Sequence, residues 1–314
     1  RFKTVWFANS QGTYIKEERP NLYMFLAAVA RQDDIVQQAF EMDGGFDGYQ
    51  SVESMHGKAA AAASRAVELL SAPPVTGGKY TVITDPLMTG VFTHEAFGHL
   101  SESDFVYENE RMKELMQLGK RFGVDGLNII DDGSIPDGLG SHPYDDEGVA
   151  MRKNYLIRDG ILVGRLHSRE TAGKMGEQPT GNARAVQFQH PPIVRMTNTY
   201  IDAGPDTFED MLKDIKLGVL AVNAFGGQTA MEMFTFSAGY GYMIRDGQIA
   251  ELVRDVVLTG NVFDTLMNID KIGNQVGWYP NGPGGCGKNN QFPLRVGTGD
   301  PYVRIQNCVI GGQQ

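Results

Sequence analysis

A chain of 314 residues with 41% hydrophobic content can bury a full core, as one large domain or two modest ones. Its formal net charge of -10, with basic residues scattered among acids, argues against a nucleic-acid footprint, which needs clustered Lys and Arg. No apolar run approaches the ~18 residues of a membrane span, and two cysteines in different contexts are too few for a disulfide framework. The expectation is a soluble protein of a reducing cytoplasm.

Phe2 to Ala8 alternates and runs into the turn cluster Asn9-Ser10-Gln11-Gly12, predicting a β-hairpin that continues through Tyr14 and Ile15. Asn21 to Arg31 reads two ways: its alanines favour helix, whereas the polar Gln32-Asp33-Asp34 break between short apolar runs fits a strand meander. Asp43 to Gly48 reads as a glycine-rich loop, and His56 to Leu70, with five alanines in a row, as a helix. Pro73, Pro74, Gly77 and Gly78 then break the chain. Segment 71–78 is therefore where an internal domain break would fall, or a tight crossover, because Tyr80 to Thr84 is a β-rich strand leading into the next helix. That helix has a legible start, with Asp85 as N-cap and Pro86 as first helical residue, where a missing N–H costs nothing.

The helix carries the stretch around which the chain is organised, Thr93 to Asp104, T-H-E-A-F-G-H-L-S-E-S-D. His94, Glu95 and His99 supply what a hydrolytic zinc site needs: neutral nitrogens to hold the metal and a carboxylate base for water. The zincin form of such a motif is H-E-x-x-H. Here the histidines are five apart, which on a regular helix separates them by roughly 140°. One metal can be gripped only if the helix unwinds, as a π-type turn or a break around Phe97 to His99, and Gly98 is the residue expected to allow it. Val91, Phe92, Phe97 and Leu100 are the candidate packing residues. Glu102, three residues after His99, is placed either to hydrogen-bond its imidazole or to stand solvated at the helix end.

Asp131 to Gly148 is rich in Gly, Pro and Asp, a long loop and a candidate rim or lid. Tyr155 to Gly160 and Tyr242 to Gly247 echo each other, and Asp-Gly between apolar runs predicts two similar hairpins, a candidate internal duplication. Asp206 with Glu209 reads as a capping box for a helix to about Leu220. Glu251 to Val309 reads as strands joined by Gly-rich turns, with a short helix from about Asn261. The class is α+β, with mixed and antiparallel β-sheets and a metal-binding helix.

Late in the chain, Asn281 to Lys288, N-G-P-G-G-C-G-K, sets Cys286 in a glycine-rich turn as a candidate third ligand. The same letters spell most of a P-loop, but Asn289 replaces the Mg²⁺-binding Ser or Thr and Pro293 interrupts any following helix. His56, His167 and His190 read as structural or solvated. His142, in a loop with three acids, has the best remaining claim to a site, and Cys308 reads as a buried small hydrophobe.

At these residues the chain resembles the TldD half of the TldD/PmbA family of metalloproteases. The match covers His94-Glu95-x-x-Gly98-His99 with Glu102 and Asp104, Asp145-Asp146-Glu147-Gly148, Thr180-Gly181-Asn182, Met196-Thr197-Asn198-Thr199-Tyr200 and Gly285-Cys286-Gly287-Lys288. The resemblance spans nearly the whole chain, so 1–314 is expected to be one TldD/PmbA-like catalytic core, and it favours strands for Asn21 to Arg31. The PmbA-like half lacks the metal-binding histidines, so His94 and His99 sort this chain with the catalytic half. Family members usually carry an additional N-terminal α/β domain, and this chain, which opens without an initiator Met where that domain should already have ended, is expected to lack it.

The reading that follows is a zinc peptidase in which His94, His99 and Cys286 hold Zn²⁺ and Glu95 activates water. The resemblance implies unfolded or leader-bearing peptides as substrates and a dimer, of two like chains or with a PmbA-like partner. The rival is a binding subunit with a structural metal, to which the family's association with DNA gyrase would belong. Glu95 separates the two, because a purely structural site has no use for a carboxylate beside its first ligand.

Overall fold

Two hairpins open the chain in the computed structural model, which describes residues 2–311 apart from 21, 47, 54, 231 and 280–284. Phe2–Ala8 pairs antiparallel with Tyr14–Pro20, and Leu22–Gln32 with Ile35–Gly45. Strand thus prevails over the alanines of the second segment; Asn21 itself lies outside the described residues. The reason is tertiary, since the helix Met55–Ser71 packs across this pair. It buries Ala62, Ala66 and Leu69, while Phe40 and Met42 are buried on the strands. The strand runs on through Gly45, two residues past Asp43, where a loop was expected to begin.

From Gly78 onward the described residues build two large sheets and two small two-stranded ones. In the first, Leu217–Ala230, Gly78–Thr84, Val303–Gly311, Val257–Asn261 and Met233–Arg245 are neighbours in that order. Leu217–Ala230 and Met233–Arg245 also pair with each other, so the five strands close a ring. The second sheet runs Gly277–Tyr279, Gly297–Asp300, Asn198–Ile201, Ile129–Asp132, Lys153–Arg158 and Ile161–Leu162. The class is α+β with mixed and antiparallel sheets, as the sequence predicts. Pro86–Phe92 packs against strands of both sheets, so the residues that follow it stand where the two meet.

The echoed sequences form two matching hairpins, one in each sheet. Asp159 and Gly160 (φ 51° and 75°) and Asp246 and Gly247 (φ 48° and 75°) adopt the left-handed pair of a two-residue type I′ turn. Two expectations are corrected. The helix read from Asp206 to Leu220 is only Phe208–Leu212, capped by the Thr207 hydroxyl, which accepts from Asp210 N at 3.1 Å. Asp206 instead accepts from Ile272 N at 3.0 Å. Val219 and Ala221 are fully buried in a strand parallel to Gly78–Thr84, and that burial outweighs any helical preference. The loop 131–148 is not a rim of the metal site: its Ile135 to Leu139 line a cavity with Trp278 and Tyr279, and Leu139, His142 and Asp146 line another.

Candidate metal centre

Asp85 caps its helix as expected, Oδ1 accepting from Met88 N at 2.9 Å, with Pro86 in the first turn. Its Oδ2 accepts from Asn223 N at 3.0 Å, which ties the helix start to the ring of strands. After Phe92 the helix widens into a π-helical turn, Thr93–Gly98, then tightens into a 3₁₀ turn, His99–Ser101. The His99 N–H bonds to the His94 carbonyl, the i to i+5 bond that defines a π turn. Two hydroxyls take up carbonyls where the ladder changes register: Thr93 Oγ1 donates to Thr89 O at 2.8 Å and Ser101 Oγ to Phe97 O at 3.0 Å.

The inserted residue rotates His99 onto the side of His94, ring centroids 5.2 Å apart. Phe97 and Ala96 face the core, fully buried. The unwinding inferred from the spacing is therefore present, but the role given to Gly98 is corrected. Its φ of -58° and ψ of -49° are ordinary helical values that any residue adopts. What requires glycine is packing, because a Cβ there would lie 2.1 Å from Sδ of the buried Met196.

Cys286 also sits differently from expectation. It begins the strand Cys286–Lys288, which pairs with Gln291–Leu294 across an Asn289-Asn290 turn with φ of 48° and 61°. The preceding Asn281 to Gly284 lie outside the described residues. The hairpin stands where a P-loop would continue into a helix.

This hairpin brings the thiol against the π turn. Cys286 Sγ is 3.4 Å from His99 Nε2, and one donor atom each from His94, His99 and Cys286 lie within 4.8 Å of one another. Glu95 Oε2 is 3.8 Å from His99 Nε2 with its side chain one-third exposed. On the other side of the ring, His99 Nδ1 faces Glu102 Oε2 at 3.0 Å. Glu102 is fully buried, so of its two readings the hydrogen-bonding one describes this fold. Two clefts flank the cluster. One, of about 610 Å³, is lined by Glu95, His99, Leu100, Phe105, Met112 and Lys288; the other, of about 160 Å³, by Met42, Leu87, Val91, His94, Phe225 and Cys286.

Burial works against charge at all these groups, and their neighbours overcome it. The His94 and His99 imidazoles hold the Cys286 thiol down at about 4. Glu102 and Cys286 push His99 well above its ordinary value, and Cys286 does the same, less strongly, for His94. His99, Lys288 and Arg195 hold Glu102 at about 2, so it is an acceptor only and fixes the Nδ1 proton of His99.

The donor set fits zinc. Two imidazoles and a thiolate are typical Zn²⁺ ligands, and ligands at 2.0–2.3 Å in a tetrahedron stand roughly 3.3–3.8 Å apart, a range that includes the Cys286–His99 separation. Among the described residues, His94 Nδ1 is buried without a hydrogen-bond partner. The remaining histidines stand elsewhere: His142 Nδ1 meets Glu17 Oε1 at 2.8 Å, and the buried His167 meets Glu177 and Ser103. Cys308 is buried in the Val303–Gly311 strand, its thiol pushed up to about 12 by burial. Sequence reading missed Met196 against Gly98, for which no local signal exists. It also missed the Lys288 contact to Glu102 at 3.0 Å, for which the two-residue step from Cys286 was a signal.

The comparisons place this fold and this cluster in a family. Residues 77–312 match the PmbA/TldA metallopeptidase C-terminal domain and residues 1–70 its central domain, so the chain belongs to this family, the TldD/PmbA family of the resemblance. A metalloprotease of Synechocystis is 50% identical across 99% of this chain and 66% of its own length. A zinc metalloprotease TldD homolog of Saccharolobus solfataricus is 32% identical across 91% and 64%. The crystal structure of TldE from Thermococcus kodakarensis shares the fold, with a TM-score of 0.80 at 21% identity over 99% of this chain and 67% of that one. The chain thus spans about two thirds of the length of these relatives.

Proposed function

We propose that this chain is the catalytic core of a zinc-dependent peptidase, with His94, His99 and Cys286 as the metal ligands and Glu95 as general base. The observation that carries the reading is the meeting of the three donor atoms within 4.8 Å beside a partly exposed carboxylate, at the edge of a cleft of about 610 Å³. Bound there, Zn²⁺ would supply Lewis acidity toward a peptide carbonyl and toward water, tempered by the negative charge of a thiolate ligand. Glu95 accepts the proton of the attacking water and returns it to the leaving amine. Glu102 holds His99 through Nδ1 so that Nε2 faces Cys286 and Glu95. The name of the Saccharolobus relative supports zinc over other metals.

Substrates are unfolded or leader-bearing peptides, which can enter a cleft as an extended chain. The assembly is a dimer, of two like chains or with a PmbA-like subunit, a reading supported by the fold shared with TldE. Two free thiols, one of them a ligand, suit a reducing cytoplasm. Among the described residues no helix is long and apolar enough to cross a membrane. The test combines zinc quantification with digestion of casein or an unstructured peptide library by the wild-type chain and Glu95→Gln. Zinc with cleavage that Glu95→Gln abolishes supports the peptidase. Zinc without cleavage in both, or cleavage that survives the substitution, supports a zinc-stabilised binding subunit or another base.

A further inference from the structure

The strand Cys286–Lys288 alternates buried, exposed, buried, so Cys286 and Lys288 share its inner face while Gly287 turns outward over Phe292. Lys288 is nearly inaccessible, and its ammonium meets three acceptors: Glu102 Oε2 at 3.0 Å, Asp104 Oδ1 at 2.6 Å and Val194 O at 2.9 Å. Three N–H donors meeting three acceptors leave the group no freedom to turn. The same Glu102 oxygen receives His99 Nδ1 at 3.0 Å. One carboxylate oxygen therefore links the imidazole of the helix to the ammonium of the hairpin. Arg195 acts on Glu102 through its charge, but Lys288 is in direct contact with Oε2, and without that contact the fully buried carboxylate would be costlier and free to rotate off the imidazole.

We propose that Lys288 is a positioning residue of the metal centre: by pinning Glu102 it aims His99, and because it stands two residues from Cys286 on one strand face, a single ammonium sets the ligand from the helix and the ligand from the hairpin relative to each other. This rests on His94, His99 and Cys286 being the zinc ligands. It explains why Cys and Lys stand two apart, a spacing that a strand places on one face.

The test is zinc affinity, measured by chelator competition on the full chain, with cobalt substitution reporting ligand geometry through its visible spectrum. Lys288→Gln and Glu102→Gln are each expected to weaken zinc binding by ~10- to 100-fold, as loss of an outer partner of a ligand does. The double variant should be no weaker than the worse single, since both act through one link. Asp104→Asn removes the other ion pair of Lys288 but leaves the path through Glu102, and should change affinity by less than about threefold against that 10- to 100-fold scale. The cobalt spectrum should shift in Lys288→Gln and stay as wild type in Asp104→Asn. Should Lys288→Gln not fold, Glu102→Gln against Asp104→Asn carries the same contrast. Wild-type affinity in Lys288→Gln, or an equal loss in Asp104→Asn, overturns the positioning role alone. A wild-type chain that binds no zinc overturns the ligand assignment beneath it.

Discussion

Two of the buried polar clusters in this fold differ in how completely they are satisfied. Around Asp131, every acceptor is used: Oδ1 takes Asn182 Nδ2 at 2.8 Å and Thr197 Oγ1 at 2.7 Å, and Oδ2 takes Thr197 N at 2.8 Å and Thr199 Oγ1 at 2.7 Å. Asp145 is occupied in the same way, by Glu147 N, Val149 N and Ala183 N. Around His99, Glu102 Oε1 and His94 Nδ1 are buried without partners among the described residues, beside a thiol between two imidazoles. A buried polar group is expected to be paired, so a closed network reads as scaffold and an open one as a place meant to take up something else. The family's motifs divide along this line. Asn182 and Met196 to Tyr200 wire the second sheet together and Asp145 and Asp146 tie their loop to Ala183 and Ala185, while His94, Glu95, His99 and Cys286 face the clefts.

Substitutions in each cluster should break or sharpen this division. The largest effect is expected at Glu95→Gln, which keeps the shape but cannot accept a proton: peptide cleavage should drop by ~10² or more with zinc content unchanged. Next is Cys286→Ala, which should reduce zinc from about one per chain to a small fraction, as read by metal analysis after dialysis. Full zinc retention there would remove the third ligand. On the scaffold side, Asp131→Ala strands the donors of Asn182, Thr197 and Thr199 and should cost about 3–5 kcal/mol in denaturant unfolding. Whatever folds should still bind zinc; if it unfolds normally yet loses metal, the division is wrong. The smallest is Gly98→Ala, where the new methyl meets Met196 and should cost about 1–3 kcal/mol by overpacking. Because the strain falls between the two histidines, zinc affinity should weaken with it, and shortening Met196 in the same chain should restore part of the affinity.

Much of the metal corner was legible because it is local. Asp85-Pro86 marks a helix start by its own chemistry, and a five-residue step between two histidines that share a metal requires a π-type turn or a break in the helix. What was not legible depends on residues far apart in sequence. Gly98 is glycine because of Met196, and the helix read after Asp206 yields to a strand because Gly78–Thr84 lies beside it. Cys286 was placed in a turn by its glycine neighbours, whereas the paired positive φ of Asn289 and Asn290 sets the hairpin that makes it a strand residue. The 131–148 segment looked like a lid because it is long and polar. Its polar groups are instead spent inward: Ser141 Oγ accepts from Asn198 Nδ2 at 2.8 Å, and Gly140 N donates to Asn198 Oδ1 at 2.9 Å.

The central claim is that one helix and one hairpin hold a single zinc ion through two imidazoles and a thiolate. X-ray absorption at the zinc edge of the loaded chain tests it most directly. The account predicts a shell of one sulfur at ~2.3 Å and two imidazole nitrogens at ~2.0–2.1 Å, completed by one light atom. A shell of oxygen and nitrogen alone, with the sulfur contribution absent in wild type and unchanged in Cys286→Ala, would contradict it.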